Sequence, residues 1–306
     1  MTREDKTKQT NEVSLRLLRE DKIRFLNMSF EEKVQRSKEL ILEWFLQYKG
    51  NVYVAFSGGK DSTVLLHLVR SVKGCENVVG VFSDTGLEYP EIRDFVKQQE
   101  NIIWIKPKLT FKQVIEKYGY PVISKEQASY IHEARTTKSE KLKAMRTKGG
   151  SFSISNKWLH LLDAPFKVSA KCCDKMKKEP FKKFEKETGL KPILGIMASE
   201  SKLRLKNYMS GNCNAFSSKR PTSKPLSFWN EDDIWEYIRR FNLQIAPVYK
   251  CGYKRTGCMF CMFGADKDDR FKLMKQTHPK LYEYIMTKLN GRDVLKYTYG
   301  DGVEGV

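Results

Sequence analysis

Residues 51–62 combine a short apolar run with a turn that contains two glycines. Asn51-Val-Tyr-Val-Ala-Phe56 is rich in β-branched and aromatic residues and predicts a buried strand. Ser57-Gly-Gly-Lys-Asp-Ser62 follows it directly. The residues after the turn carry apolar side chains at the spacing of one helix face: Val64, Leu65, Leu68 and Val69. The stretch therefore predicts a strand, a tight turn and a helix in succession.

The turn itself has the composition of a phosphate-binding loop. Free backbone N–H groups and the helix dipole at a helix N-terminus favour an anion. Gly58 and Gly59 let the backbone approach it without a side-chain clash, and Lys60 adds positive charge. Asp61 is suited to bind Mg²⁺ or to cap the helix. An ordinary tight turn is the alternative. The predicted nucleotide-binding residues of the turn are Ser57, Gly58, Gly59, Lys60, Asp61 and Ser62.

Predicted strands and helices alternate on both sides of this turn. The capping-box pattern Ser29-Phe-Glu-Glu32 opens a helix that extends to about residue 48. Further strands are predicted at 78–83, 102–105 and 192–197. Such alternation predicts an α/β fold with a doubly wound parallel sheet, which is Rossmann-like in class.

Local signals also place several helices between and after these strands. Pro90 stands near the start of one helix, and Thr110–Gln113 and Ser124–Gln127 have the form of capping boxes. Residues 174–188 and 266–290 are expected to be helical. Asn230 is expected to cap another helix, whose Trp235 is assigned to the core.

We predict three parts along the chain. Residues 1–28 form a polar N-terminal extension, and residues 265–306 form C-terminal helices and a tail. Residues 29–264 form the sheet-containing domain, with a cysteine cluster and an irregular basic insertion at about 135–170. The part after the sheet is expected to be a cysteine-rich C-terminal elaboration.

Composition and charge exclude several classes of protein. Gly and Pro together make 29 of the 306 residues and aromatic residues make 12%, which excludes collagen-like and wholly disordered chains. Neither an apolar run of about 18 residues nor the apolar core of a secretory signal is present. We therefore expect a cytoplasmic protein with no membrane partner.

The net charge is +19, from 56 basic and 37 acidic residues. Residues 135–191 contain 16 Lys and Arg against 6 Asp and Glu. A solvated lysine-rich face and a nucleic-acid partner are both consistent with this excess of positive charge.

Seven cysteines without an export signal indicate metal binding or catalysis rather than disulfides. Four of them form two close pairs, Cys172-Cys173 and Cys258-x-x-Cys261, separated by 84 residues. Four thiolates suit zinc or a 4Fe–4S cluster equally well by number, although adjacent cysteines fit a zinc knuckle poorly. Buried cysteines without metal, or Cys251 as a replacement ligand, are the alternatives. Cys75 and Cys213 are interpreted as ordinary residues.

Several ordered motifs between about residues 50 and 264 resemble the phosphoadenylylsulfate (PAPS) reductase family of the adenine-nucleotide alpha-hydrolase superfamily. Ser57–Ser62 resembles its PP-loop, and Phe82–Glu91 resembles its "D-T-G … P-E" segment. Lys171-Cys-Cys-x-x-x-Lys-x-x-Pro180 and Gly252–Cys261 are similar to the cysteine motifs of the iron–sulfur adenylylsulfate (APS) reductases.

The resemblance implies a cofactor, substrates and site residues. It implies a 4Fe–4S cluster on Cys172, Cys173, Cys258 and Cys261, and ATP, PAPS or APS bound with Mg²⁺. It adds Asp84, Thr85 and Arg204 to the nucleotide-binding residues. The catalytic residues that it implies are Lys60, Asp61 and Asp84.

The sequence also departs from the reductases. Their nucleophilic cysteine lies in a C-terminal E-C-G-L-H tail, whereas Tyr299–Val306 contains no cysteine, and their PP-loop is usually degraded, whereas this one is intact. An intact loop, a cluster and strong positive charge together resemble the thiolating relatives, the DndC-type enzymes of DNA phosphorothioation and the cluster-dependent tRNA thiolases. The partners implied are DNA or RNA, a sulfur-donor protein such as a cysteine desulfurase, and a second copy in a homodimer.

Three functional hypotheses therefore stand. The first is a PP-loop ATP pyrophosphatase that adenylates a substrate for sulfur transfer, with nucleic acid as an acceptor. The second is a PAPS or APS reductase that uses an external thiol. The third is a non-catalytic subunit or sensor that binds a nucleotide and a cluster.

Overall fold

The computed structural model describes residues 20–301, so residues 1–19 of the predicted N-terminal extension lie outside the described range. The chain divides into two compact units. The first unit comprises the described residues up to Phe82 together with Gln98–Ile103 and Glu185–Ala246. The second comprises Ser83–Lys97, Trp104–Phe184 and the described residues from Pro247 onward.

The strands of the described range are β1 (Val52–Phe56), β2 (Val79–Ser83), β3 (Ile102–Ile105), β4 (Val122–Ile123), β5 (Lys191–Ile193), β6 (Asn214–Ala215), β7 (Thr222–Ser223) and β8 (Met262–Phe263). The α-helices after the helical residues 20–26 are α1 (Phe30–Gln47), α2 (Lys60–Arg70), α3 (Pro90–Lys97), α4 (Phe111–Tyr118), α5 (Lys125–Thr136), α6 (Glu140–Thr147), α7 (Lys171–Cys173), α8 (Glu179–Thr188), α9 (Lys202–Ser210), α10 (Glu231–Arg240), α11 (Arg270–Thr277), α12 (Pro279–Glu283) and α13 (Gly291–Tyr299). A π-helical turn, Asp174–Lys178, joins α7 to α8.

The main sheet has the strand order β3-β2-β1-β5-β7-β6. β1 is parallel to both β2 and β5, with Val54 opposite Gly80 on one side and Ile193 on the other. β5 is parallel to β7, and β6 and β7 are antiparallel. The predicted α/β fold with a mostly parallel sheet is confirmed. A second, two-stranded parallel sheet pairs β4 with β8 in the second unit.

The centre of the first unit is closely packed. In β1, Tyr53 and Val54 are fully buried, as are Leu65 of α2 and Trp44 of α1. Gly80 of β2 leaves room for a neighbouring strand, because a Cβ there would lie 2.5 Å from Cδ1 of Ile102. This packing fixes the end of β1, from which the glycine-containing turn emerges.

Most helix starts agree with the sequence. Ser29 and Thr110 make both hydrogen bonds of a capping box, and Asn230 caps α10. Ser124 accepts from the Gln127 N–H, but the Gln127 side chain does not return the bond. Its amide instead binds the backbone of Ser153 and Ser155. The predicted capping box at residues 124–127 is therefore only half formed.

Two local predictions were wrong. Residues 135–170 were expected to be irregular, but they contain α6 and a 3₁₀ helix, Asn156–Leu162, because Ser139 caps α6 by accepting from the Leu142 N–H. The strand predicted at 192–197 ends as β5 at Ile193. The chain leaves the sheet there, and the Ile196 N–H bonds back to the Leu194 carbonyl.

None of the helices in residues 20–301 has both the length and the apolar character needed to cross a bilayer.

Candidate functional site

The predicted phosphate loop lies in the first unit, between the end of β1 and the start of α2. Gly59 is the N-cap of α2, and no side chain caps this end of the helix. Gly58 has a φ of 72°, a conformation that other residues adopt only with strain. The first N–H groups of α2 therefore lack a side-chain acceptor at an end that favours an anion.

The two serines of the loop hold its shape. The Ser62 hydroxyl donates to the Gly59 carbonyl at 2.9 Å and accepts from the Ser57 N–H at 3.1 Å. The Ser57 and Ser62 hydroxyl oxygens are 3.0 Å apart. These hydrogen bonds hold the loop backbone in one conformation, as an anion site that forms before its ligand binds requires.

Lys60 places a buried positive charge at the loop. Its side chain is 4% exposed, and its Nζ lies 3.4 Å from Asp61 Oδ1 and 3.4 Å from Glu231 Oε1. The same Nζ is 5.9 Å from the centre of the Trp235 ring. Glu231 and Trp235, both on α10, were missed as site residues by the sequence analysis, which assigned Trp235 to the core. A phosphate bound here would compete with two carboxylates for one ammonium group.

Arg204 is also in the first unit, on α9. Its guanidinium pairs with the Glu200 carboxylate and remains 41% exposed. Ser201 caps the helix by accepting from the Arg204 N–H. The side chain is accessible to an anionic ligand, and its contact with a nucleotide stays a prediction.

Asp84 and Thr85 lie in the second unit, directly after β2, and both are already hydrogen-bonded. Asp84 is 7% exposed, and its Oδ2 accepts from Arg93 at 3.0 Å. Thr85 donates through its hydroxyl to Glu88 Oε1 at 2.6 Å. These bonds order the turn after β2, and roles for Asp84 and Thr85 at a nucleotide stay predictions.

The four predicted cysteine ligands come together in the second unit. They line one cavity together with Lys177 and five apolar or proline side chains: Leu87, Phe111, Pro121, Met176 and Phe260. The sulfur atoms of Cys172 and Cys173 are 4.0 Å apart, and all four cysteines are free thiols. Cys251 is not among the described residues that line this cavity. The fold therefore joins the two cysteine pairs that are 84 residues apart in sequence.

The arrangement of these thiols bears on which metal group they fit. Among residues 20–301, no three His, Cys, Asp or Glu side chains converge closely enough to hold a single ion. A structural zinc site needs four ligands in a tetrahedron around one ion. A 4Fe–4S cluster has four irons, each bound by one cysteine, so its ligands surround a larger body. Four cysteines that line one largely apolar cavity without converging on a point fit a cluster.

Charges around the cavity act on its thiols. Cys258 raises the pKa of Lys177, which donates a hydrogen bond to it and also lies near Glu88. Burial raises the pKa of Cys258. The pKa of Cys173 is lowered by a hydrogen bond from Cys172 and by the ammonium groups of Lys125 and Lys177. Lys177 lies within the Lys171–Pro180 motif but was not predicted as a site residue, and neither was Lys125.

A mostly parallel sheet with a glycine turn between a central strand and a helix defines an α/β protein, in which ligands bind at the carboxyl ends of the strands. The profile of the phosphoadenosine phosphosulfate reductase domain matches residues 51–154 and 102–263. These matches cover more than half of the sequence, and the chain belongs to this family.

Individual relatives are distant. An adenosine 5'-phosphosulfate reductase of Bacillus cytotoxicus is 24% identical over 270 residues, which are 84% of this chain and 95% of that protein. An uncharacterised protein of Methanocaldococcus jannaschii is 27% identical over 238 residues, 77% of this chain. The chain spans 40% of the length of that archaeal protein.

Two solved structures are similar at low identity. The phosphoadenylyl-sulfate reductase of Candida auris, in a phosphate complex, has a TM-score of 0.43 and 19% identity, covering 76% of this chain and 96% of that one. The U34-tRNA thiolase NcsA of Methanococcus maripaludis, with its [4Fe-4S] cluster, has a TM-score of 0.41 and 15% identity, covering 90% of this chain and 83% of that one.

Proposed function

We propose that the protein is an ATP pyrophosphatase-type enzyme that adenylates an acceptor for sulfur transfer, and that the acceptor is a nucleic acid. The observation that carries the proposal is the buried Lys60 ammonium at the uncapped start of α2. Backbone N–H groups and a fixed cation together suit the β- and γ-phosphates of ATP. The net charge of +19 supports a polyanionic acceptor.

The chemical step follows from this loop. An oxygen of the acceptor attacks the α-phosphorus of ATP, the bond between the α- and β-phosphates breaks, and pyrophosphate leaves. Lys60 and the loop N–H groups would stabilise the charge on the leaving pyrophosphate, and Asp61 would bind Mg²⁺. A hydrosulfide ion, whose sulfur is already at the oxidation level of the product, then attacks the acceptor carbon; the carbon–oxygen bond breaks, and the acceptor oxygen leaves as part of AMP.

Cys172, Cys173, Cys258 and Cys261 would hold a 4Fe–4S cluster. When bound, such a cluster supplies a redox-active iron and sulfide centre in a largely apolar cavity. Burial raises the pKa of Cys258, and the positive charge of Lys177 beside it opposes that rise.

A sulfonucleotide reductase that uses an external thiol is the second candidate, and the adenosine 5'-phosphosulfate reductases among the relatives favour it. In that reaction a thiolate attacks the sulfur of PAPS or APS and the nucleotide phosphate leaves. Sulfite is released when a second thiol resolves the product. Sulfite and pyrophosphate therefore distinguish the two candidates.

The test is a parallel assay on anaerobically purified protein. The protein is incubated with Mg²⁺ and ATP, PAPS or APS, with and without RNA and a thiol, and both products are measured. We expect pyrophosphate from ATP, reduced more than tenfold in Lys60→Ala and unchanged in the matched control Lys73→Ala, an exposed lysine of the same unit. Sulfite without pyrophosphate would establish the reductase. Nucleotide binding with neither product would establish the non-catalytic subunit.

A further inference from the structure

Residues 138–152, termed the basic platform below, form an unusual exposed surface of the second unit. They comprise α6 with its flanking residues, and α6 has no buried residue. Residues 135–157 contain seven Lys and Arg and one acidic residue, Glu140. Two large apolar side chains are exposed among these charges, Met145 at 45% and Phe152 at 63%.

The arginines of this region are structural. Arg146 pairs with Glu133 at 2.7 Å, donates to the Phe152 carbonyl at 2.6 Å and lies over the Tyr130 ring at 4.1 Å. Arg135 donates to the carbonyl oxygens of Ala164 and Phe166. Both guanidinium groups are thus used to hold the backbone in place.

The lysines of the platform are different. Lys138, Lys141, Lys143 and Lys148 are exposed, and their ammonium groups form no ion pair or hydrogen bond within residues 20–301. Lys141 and Met145 of α6 and its C-cap residue Lys148 follow each other at intervals of four and three residues, so they lie along one side of the helix. This face presents an apolar group between two unpaired ammonium groups.

Phe152 is held outward by an ordered loop. The Ser153 hydroxyl donates to the Gly150 carbonyl at 2.8 Å, and the Ile154 N–H donates to the Arg146 carbonyl at 2.8 Å. The Gln127 amide fixes the next turn, donating to the Ser153 carbonyl and accepting from the Ser155 N–H at 2.9 Å. The backbone on both sides of Phe152 is therefore fixed while its ring remains in solvent.

The same contacts place the platform near the cysteine cavity. Gln127 lies two residues after Lys125 on α5, a rise of about 3 Å along the helix. Lys125 begins α5 four residues after Pro121, which lines the cavity. A ligand on the platform thus lies along the helix that begins beside the cavity.

We infer that the basic platform binds single-stranded nucleic acid, with its lysines on the phosphates and an unpaired base stacked on Phe152. This deepens the proposed function, on which it rests for the identity of the acceptor. Unpaired ammonium groups fit a phosphate backbone, and an exposed aromatic ring stacks on any base that is free of a duplex. A duplex offers its phosphates to the lysines, but its bases are already stacked and paired, so none is free to stack on Phe152.

The test measures fluorescence anisotropy of a labelled strand of about 12 nucleotides, as RNA, as DNA and as the duplex, over about 50 to 200 mM salt. For a single strand, four lysine contacts predict a log–log salt slope of about −3. The double variant Lys141→Glu/Lys148→Glu should reduce that slope by about 1.4. Phe152→Ala should weaken binding by about 5- to 150-fold without changing the slope, because it removes stacking and no charge.

Matched variants control for charge and for aromatic surface. Lys182→Glu/Lys280→Glu changes two exposed lysines outside the platform, and Tyr284→Ala removes a ring that is 52% exposed. Both should bind like the wild type, and Phe152→Trp should retain stacking. The strand that binds with the higher affinity, RNA or DNA, would identify the kind of nucleic acid that the platform recognises.

Equal affinity of Phe152→Ala and the wild type would overturn the inference, as would preference for the duplex. Binding is measured without ATP, so this result is independent of pyrophosphate release. Loss of pyrophosphate release with intact strand binding would reject the proposed function alone.

Discussion

Replacing Lys60 by methionine tests the phosphate loop most directly. Methionine keeps most of the length of the aliphatic chain and removes the ammonium group. Lys60 is 4% exposed, so its charge acts in a site with little screening by water. The change should therefore weaken nucleotide binding while leaving the packing of α2 nearly intact.

The size of the effect follows from the contacts of the ammonium group. A unit charge about 4 Å from a phosphate oxygen interacts by about 4 kcal/mol at an effective dielectric constant of 20. Asp61 and Glu231, each 3.4 Å from Nζ, already satisfy part of that charge, so the net gain on binding is smaller. Hydrogen bonds to charged groups contribute about 1.5–3 kcal/mol, which corresponds to an affinity loss of about 10- to 150-fold.

The effect on folding should be modest. Without the Lys60 ammonium, the Glu231 carboxylate, which is 62% exposed, remains solvated by water. The Asp61 carboxylate is only 31% exposed, so losing its ion pair with Lys60 costs it more. A partly exposed pair contributes about 0.2–1 kcal/mol, so the thermal midpoint should fall by only a few degrees.

Isothermal titration with Mg²⁺-ATP measures the affinity, and circular dichroism measures the thermal midpoint. Lys73→Met is the control, since Lys73 is an exposed lysine of the same unit. An ATP affinity within twofold of the wild type in Lys60→Met would refute the assignment of Lys60 to the phosphates. A large fall in the midpoint would show that the side chain is mainly structural.

Three further predictions follow from named contacts. Anaerobically purified protein should be brown with about four irons per chain, and Cys258→Ser or Cys261→Ser should remove the colour; a colourless protein with one tightly bound zinc would contradict the cluster. Gly80→Ala should lower stability by about 1–3 kcal/mol in urea unfolding, because its Cβ would lie 2.5 Å from Cδ1 of Ile102; an unchanged midpoint would show that Ile102 moves aside without cost. Burial raises the pKa of Cys75 to about 11. The protonated thiol therefore contributes fully to stability at neutral pH, and this contribution is lost as pH rises towards 11, because only the unfolded thiol ionises in that range. Cys75→Ala should show a smaller decline in stability at alkaline pH than the wild type, and an equal decline in both proteins would contradict the prediction.

Features with local causes could be predicted from the sequence. β1 and α2 depend on an apolar run and two glycines that are contiguous in the chain. β1 was predicted to within one residue, and α2 was predicted to follow the turn, although it already begins at Lys60 within the Ser57–Ser62 stretch. The capping boxes at Ser29 and Thr110 formed because their partners are three residues away and nothing competes for them. The half-formed box at Ser124 failed because Gln127 bonds to residues 153 and 155, a contact that local spacing does not show.

The candidate site divides in the same way. Cysteine spacing indicates four thiols but cannot show that they line one cavity, and a resemblance to a family supplied that grouping before the fold did. Glu231 and Trp235 reach Lys60 from a helix about 170 residues further along the chain, and no signal within the loop points to them.

Gln127 connects the two surfaces of the second unit on which the proposals depend. Its side chain bonds to the loop that carries Phe152, and its helix begins at Lys125, four residues after Pro121, which lines the cavity. The Gln127 side chain bonds to the loop instead of to the backbone N–H of Ser124, so it does not stabilise the start of its own helix. What it supplies is a fixed position for an exposed aromatic ring relative to the cavity. Gln127→Ala should therefore weaken strand binding through Phe152 while the helix start remains capped by Ser124. Strand binding unchanged by Gln127→Ala, measured in the same anisotropy assay, would show that the loop holds the ring without this contact.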